Sequence, residues 1–225
     1  MLIAEVGNGH FGNMTKAREL IRAAHNSGAD LIKAQAFRAS GIKSGSMPER
    51  FYKDCELRVE DYLELIHYAR DLGNDLFYSI FSDGFESISF TQKWHKVAGV
   101  QTRDGQATAD LDLENVIVSV PSGVVYDHLP RFRKAEVLYV SEYLAQDPEL
   151  RHIGSLAQWL GRPVGYSDHT VGVKFALEAH RCWGANIIEK HFTLSHNEKW
   201  GTKIFRDSVH GATPNEFEEL AKAMS

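Results

Sequence analysis

The sequence predicts an α/β fold, a compact TIM (β/α)8 barrel formed by residues 1–225 as a single domain. Eight short apolar runs alternate with helical or connecting segments, the pattern of strands wound into one sheet by crossovers. Eight such units fit within 225 residues, a length suited to one domain with a sizeable core. No dinucleotide fingerprint follows the first run, where Gly7-Asn8-Gly9 is too weak a match.

Leu2 to Val6 is the first strand, with Glu5 inside it and the turn Gly7 to Gly12 after it. A carboxylate there is costly to bury unless it is paired or used. Thr15 can cap the next helix, whose apolar positions Ala17, Leu20, Ile21 and Ala24 recur at helical spacing, and Gly28 closes it. Asp30 to Phe37 is the second strand, on which Lys33 and Gln35 share a face by the period of two. Arg38 to Arg58 is polar, rich in Gly and Ser, and too long for a plain turn, so it reads as a functional lid or a mobile segment. Val59 to Leu72 is a helix with Tyr62, Leu63, Leu65, Ile66 and Ala69 on its buried side.

Asp75 to Phe81 is the third strand and Gly84 to Phe90 a short helix. Trp94 to Ala98 is the fourth strand and carries Lys96; Asn115 to Val120, with Ser119, is the fifth; Ala135 to Ser141 is the sixth. The connections around residues 100–134 are short for full helices, so that side of the barrel is expected to be abbreviated. A helix from about Pro148 to Leu160 leads to the seventh strand at Gly165-Tyr166-Ser167-Asp168-His169-Thr170. After a helix over Val171 to Gly184 comes the eighth strand, Ala185 to His191, and a last helix over Pro214 to Met224 with Thr213 as its cap.

The composition excludes several classes of function. A net charge of −5 without a Lys/Arg stripe argues against nucleic acid as a partner. No apolar run reaches the roughly 18 residues needed to span a bilayer, and Met1 leads straight into a strand with no signal-peptide pattern. Cys55 and Cys182 lack metal-type spacing and read as free thiols, consistent with a cytoplasmic protein.

In a barrel of this kind the site lies at the C-terminal ends of the strands, where Glu5, Lys33, Gln35, Lys96, Ser119, Ser167, His169 and His191 all fall. A single strand histidine is more often a packed core residue. Two on adjacent strands point to a metal or an acid–base pair, and imidazole suits Zn, Fe, Ni or Mn. Lys33 and Lys96 either pair with a barrel carboxylate such as Glu5 or, with Ser119 and Ser167, hold a phosphate or carboxylate. A Schiff-base lysine is a further alternative. Asp207, in the loop after the eighth strand, can hold substrate hydroxyls or be a solvated acid. His10, His196 and His210 are possible extra ligands, with surface positions expected for them.

These motifs resemble the sialic acid synthases, N-acetylneuraminate synthase and its relatives, which join phosphoenolpyruvate to an N-acyl sugar aldehyde. The matching runs are Ile3-Ala4-Glu5-Val6-Gly7 with His10, Ile32-Lys33-Ala34-Gln35, Tyr52-Lys53 through Leu57, and Glu60-Asp61-Tyr62. Gly165-Tyr166-Ser167-Asp168-His169-Thr170-Val171-Gly172 and Ile188-Glu189-Lys190-His191-Phe192-Thr193-Leu194 are the longest and most specific. The resemblance implies a divalent metal on His169 and His191, manganese first, with magnesium or cobalt as alternatives. It implies that Lys33, Lys96, Ser119 and Ser167 hold phosphoenolpyruvate, that Glu5 lies near a metal-bound water, and that Gln35 and Asp207 contact substrate.

The chain also departs from the family pattern. The strand-4 run Lys-x-x-Ser-Gly-Glu, whose glutamate handles the attacking water, becomes Lys96-Val97-Ala98-Gly99-Val100-Gln101. The Thr-Asn-x-Tyr-Pro run after strand 6 becomes Ser141-Glu142-Tyr143-Leu144-Ala145, where Glu142 is a candidate replacement carboxylate. The family's C-terminal antifreeze-like domain is not found in the sequence, so a homodimer or a partner protein is expected to supply a cap. Three readings stand at this point: a phosphoenolpyruvate-condensing synthase, a diverged lyase or aldolase on the same anion and metal site, and a non-catalytic sugar- or anion-binding barrel.

Overall fold

A closed ring of eight parallel strands, in the order β1 to β8, forms the centre of the computed structural model of this chain. The structure describes residues 1–42, 47–97, 115–121 and 134–225. The strands are β1 (Leu2–Gly7), β2 (Leu31–Ala36), β3 (Asp75–Ile80), β4 (His95–Val97), β5 (Val116–Pro121), β6 (Glu136–Val140), β7 (Gly165–Asp168) and β8 (Ile188–His191). Each falls on the run expected for it, with β1 and β5 extending one residue further, to Gly7 and Pro121. The connections around residues 100–134, including Gln101, fall outside the described residues apart from β5 and the residues next to it.

Period-two alternation along each strand divides the apolar residues into two cores. Ile3, Leu31, Phe77, Ile117, Leu138 and Ile187 point inward and plug the N-terminal half of the barrel. Their neighbours, such as Ala4, Ile32, Val118, Tyr139, Tyr166 and Ile188, point outward and pack under the helices. Gly165 marks how tight the inner plug is: a Cβ there would stand 2.3 Å from Leu138 Cδ2 and 2.7 Å from the Ile187 carbonyl oxygen. Apolar packing therefore closes the bottom of the barrel and leaves the polar inward positions at the top.

The helices α1 (Met14–Asn26), α2 (Glu49–Cys55), α3 (Val59–Asp71), α4 (Glu86–Thr91), α5 (Arg151–Leu160), α6 (Lys174–Trp183), α7 (Arg206–His210) and α8 (Pro214–Met224) follow the strands. In α1 the buried residues are Ala17, Leu20, Ile21 and Ala24, as the spacing predicts, but the cap is Asn13. Its Oδ1 accepts from the Lys16 N–H, whereas Thr15 lies inside the first turn. In α3, Leu63 is only half-buried, because it sits at the edge of the stripe formed by Tyr62, Leu65, Ile66 and Ala69. Thr213 caps α8 in a capping box with Glu216, as expected.

The described residues of the stretch 38–58 include regular structure. It contains a 3-10 turn over Ala39–Gly41 and α2, whose Phe51 and Cys55 pack with Phe37 and Phe205. A hairpin of β9 (Lys199–Trp200) and β10 (Lys203–Ile204) completes this layer. Trp200 stands edge-on to Phe51, and its Nε1–H donates to Asp54. Short-range periodicity missed this layer because its aromatic residues come from three separate connections and meet only in the folded chain.

Candidate active site

The strand residues singled out above meet in one cavity of about 320 Å³ at the C-terminal mouth of the barrel. Glu5, Lys33, Gln35, Lys96, Ser119, Ser167, His169 and His191 line it, together with Ser79, Phe81 and Glu189. Register places them at neighbouring heights. Glu5 is opposite Lys33 on one side and His191 on the other, and Ser167 is opposite Glu189.

The floor is a buried ionic network centred on Glu189. Its Oε1 stands 3.0 Å from Lys33 Nζ and accepts from the Ser167 hydroxyl at 2.9 Å, while Oε2 accepts from Lys96 Nζ at 2.9 Å. Lys33 also contacts Glu5 Oε2 at 2.5 Å, and Glu5 Oε1 accepts from the Gly7 N–H. Burial opposes ionisation of Glu189, but the two ammonium groups outweigh it and hold the carboxyl well below its usual range. Burial pulls Lys33 down to about 8, against the attraction of Glu189. Both lysines thus pair with barrel carboxylates, one of the two alternatives left open by their spacing. The sequence motif around His191 contains Glu189 without marking it as a site residue. The signal was available: it lies two residues before His191 and so shares the inward face.

His169 and His191 stand with ring centroids 5.4 Å apart. His169 Nδ1 lies 3.3 Å from the Ser141 carbonyl oxygen, which can only accept, so that nitrogen carries the proton and Nε2 keeps its lone pair. Burial lowers both imidazole pKa values, that of His191 furthest, with His210 and His169 adding to the effect. Neutral, desolvated imidazoles are the donors a divalent cation needs. Among the described residues no three His, Cys, Asp or Glu side chains are already set around one point as ligands.

Two of the three further candidate histidines differ from expectation. His10 and His210 are buried, not on the surface. His10 Nδ1 accepts from the Gly12 N–H, and burial lowers its pKa to about 4. His210 packs 4.6 Å from the His191 ring and 4.6 Å from Tyr143. His196 does lie toward the surface, where Nε2 meets Glu216 at 3.1 Å.

Asp207 lies in the first turn of α7 and not in an open loop. It is beside the cavity: a Cβ built on Gly7 would stand 3.5 Å from Glu5 Oε1, 3.8 Å from Asp207 Oδ2 and 3.9 Å from His191 Cε1. Tyr143 O–H donates to Asp207 Oδ1 at 3.4 Å, and Arg206 stacks on the Tyr143 ring. Gln35 Oε1 accepts from Asn8 Nδ2, which leaves the Gln35 amide nitrogen toward the cavity. Glu142 is exposed and does not line the cavity, so it does not supply the carboxylate suggested for it.

Burial raises the Asp207 pKa to about 6, against the pull of Arg206. The ordinary value is about 3.9, so between these pH values the folded chain holds a proton that the unfolded chain has released. The group therefore favours folding most at low pH, and this contribution is lost as pH rises to about 6. Subtracting the stability of Asp207→Asn from that of wild type, by urea unfolding at stepped pH, should give a difference that falls across this window and levels above it. Parallel profiles would mean that Asp207 ionises as in water.

Comparison with known proteins bears on this geometry. Residues 139–225 match the NeuB family. Over 86% of its length the chain is 30% identical to N,N'-diacetyllegionaminic acid synthase of Legionella pneumophila, covering 64% of that protein. It is 29% identical over 97% of its length to an uncharacterised protein of Methanocaldococcus jannaschii, covering 68% of it. The chain thus spans about two thirds of the length of these relatives. The barrel superposes on N-acetylneuraminic acid synthetase of Leptospira borgpetersenii with a TM-score of 0.83 at 24% identity, covering 99% of this chain and 81% of that one. With the two histidine motifs in place at the mouth of the barrel, the chain is similar to the sialic acid synthases, and its residues 139–225 match the NeuB family.

Proposed function

We propose that the cavity binds phosphoenolpyruvate and joins it to an aldose or N-acyl sugar aldehyde, giving a 2-keto-3-deoxy sugar acid and phosphate. The observation that carries this reading is that two lysines and two serines share one cavity with two neutral histidines. Lys33 and Lys96 would hold the phosphate and carboxylate, with hydroxyl donation from Ser119 and Ser167. Glu189 keeps the two ammonium groups close together before the anion arrives. Fixing both substrates lowers the entropic barrier to their union.

In the reaction the methylene carbon of phosphoenolpyruvate bonds to the aldehyde carbon. Water then adds to the former enol carbon, and the bond from that carbon to the phosphate oxygen breaks. A divalent metal on His169 and His191, manganese by family likeness, would polarise the aldehyde oxygen as a Lewis acid. The chain's own residues hold the rest of the geometry. Ser141 fixes the His169 tautomer, and Asp207, beside Gly7 and His191, would hold acceptor hydroxyls.

The test is phosphate release from phosphoenolpyruvate against a panel of sugar aldehydes, with and without manganese. Release should require both, and Lys33→Ala and Lys96→Ala should each raise the phosphoenolpyruvate Kd by about tenfold or more, since a hydrogen bond to a charged group contributes about 1.5–3 kcal/mol. Release without an aldehyde would favour a lyase, and unchanged affinity in both variants would remove the lysines from the anion site.

A further inference from the structure

The register of β1 against β2 breaks beside the cavity, and the break brings in a residue that has no role so far. Glu5 is opposite Lys33, but Gly7 is opposite Ala34, so Val6 is an extra residue in the strand. A bulge of this kind re-aims the side chains next to it. Gly7 takes a left-handed φ of +50°, and the Gly9 N–H closes a turn onto the Val6 carbonyl at 3.1 Å. Asn8, between the two glycines, is 4% exposed, and its Nδ2 donates to Gln35 Oε1 at 2.7 Å.

Gln35 reaches the cavity from β2, level with Ser79 on β3. Its carboxamide has two ends of nearly equal size and opposite polarity, and packing alone does not choose between them. Asn8 does choose. The Asn8 NH2 can only donate, so it takes the Gln35 oxygen and leaves the Gln35 NH2 for whatever enters the cavity. Asn8 Oδ1 has no hydrogen-bond partner among the described residues, so the pair is joined by this single bond and its direction is what a test must read.

We infer that Asn8 is the positioning residue for Gln35, and that the substrate group bound there is an oxygen offering a lone pair, a hydroxyl or acyl oxygen of the acceptor. The inference rests on the acceptor part of the proposed function. Asn8 is not among the residues lining the cavity, so it acts through Gln35 and not by touching substrate. An amide turned the right way before substrate arrives loses less freedom on binding than one that rotates. The anion floor has its own partners around Glu189, so the effect of Asn8 falls on the acceptor and not on phosphoenolpyruvate.

A double-mutant cycle with Gln35→Ala tests this. Asn8→Ala should raise the acceptor KM about three- to tenfold, the effect of one neutral hydrogen bond, and leave kcat and the phosphoenolpyruvate KM within about twofold. In the Gln35→Ala background, Asn8→Ala should add nothing, because its effect passes through Gln35. Asn8→Asp keeps the size but can only accept, so it should draw the Gln35 NH2 toward itself and raise the acceptor KM at least as far as Gln35→Ala. Additive effects in the cycle, or an equal rise in the phosphoenolpyruvate KM, would overturn the inference. Should Asn8→Ala not fold, Asn8→Asp takes its place in the cycle. Nuclear Overhauser contacts of the Gln35 NH2 group give a readout that needs no turnover. That group should lie away from residue 8 in wild type and against it in Asn8→Asp, and an NH2 group against Asn8 in wild type also overturns the assignment. If no aldehyde supports phosphate release, the proposed reaction fails, and these contacts alone decide the role of Asn8.

Discussion

Glu189→Gln is expected to lower folding stability by about 3–5 kcal/mol at neutral pH, the usual cost of leaving a buried charge uncompensated. The carboxylate is the common partner of Lys33, Lys96 and Ser167, and both lysine side chains are nearly inaccessible to water. Glutamine keeps the shape and an acceptor oxygen but removes the charge that holds the two cations together. The loss should shrink at high pH, because Lys33 already gives up its proton at about 8 and would do so earlier without Glu189. Urea unfolding at pH 7 and pH 9 measures both effects. Inorganic phosphate should restore more stability to the variant than to wild type, since it supplies the missing anion to the same lysines. A loss below about 1 kcal/mol would mean that the lysines find other partners.

Lys190→Met should cost a similar amount, about 3–5 kcal/mol, on the other face of the same strand. Lys190 Nζ lies 2.9 Å from Asp168 Oδ2, and both side chains are wholly buried between the barrel and its helices. The ammonium also donates to the Thr170 carbonyl, while Asp168 Oδ1 accepts from the Thr170 N–H. Removing the cation alone strands a carboxylate. Removing both charges, in Lys190→Met with Asp168→Asn, should recover part of the loss, because no uncompensated charge remains. A double variant less stable than the single one would contradict this account. The pair also matters to the site by alternation: with Asp168 and Lys190 pointing outward, Ser167, His169, Glu189 and His191 must point inward.

That alternation also explains how much of the fold was legible beforehand. The eight strands and the principal helices follow from local apolar periodicity, which needs no knowledge of distant contacts. Caps are not set by periodicity: Asn13 and Thr15 are both good capping residues, and only the path of the chain selects Asn13. The aromatic layer over the mouth, drawn from Phe37, Phe51 and Phe205, leaves no periodic trace in any one segment.

The barrel, the inward face of its strands and the two histidine motifs follow from residue order and a period of two. Which charges meet is set by the folding of distant segments onto one another. It made Glu189 the shared counterion of Lys33 and Lys96, placed Glu142 outside the cavity, and buried His210 against His191. Those outcomes depend on the stagger of neighbouring strands and on the return of α7 over β8. The distances they set are between residues as much as 93 positions apart for Lys96 and Glu189, and further for Lys33 and Glu189, separations at which no local pattern records a neighbour.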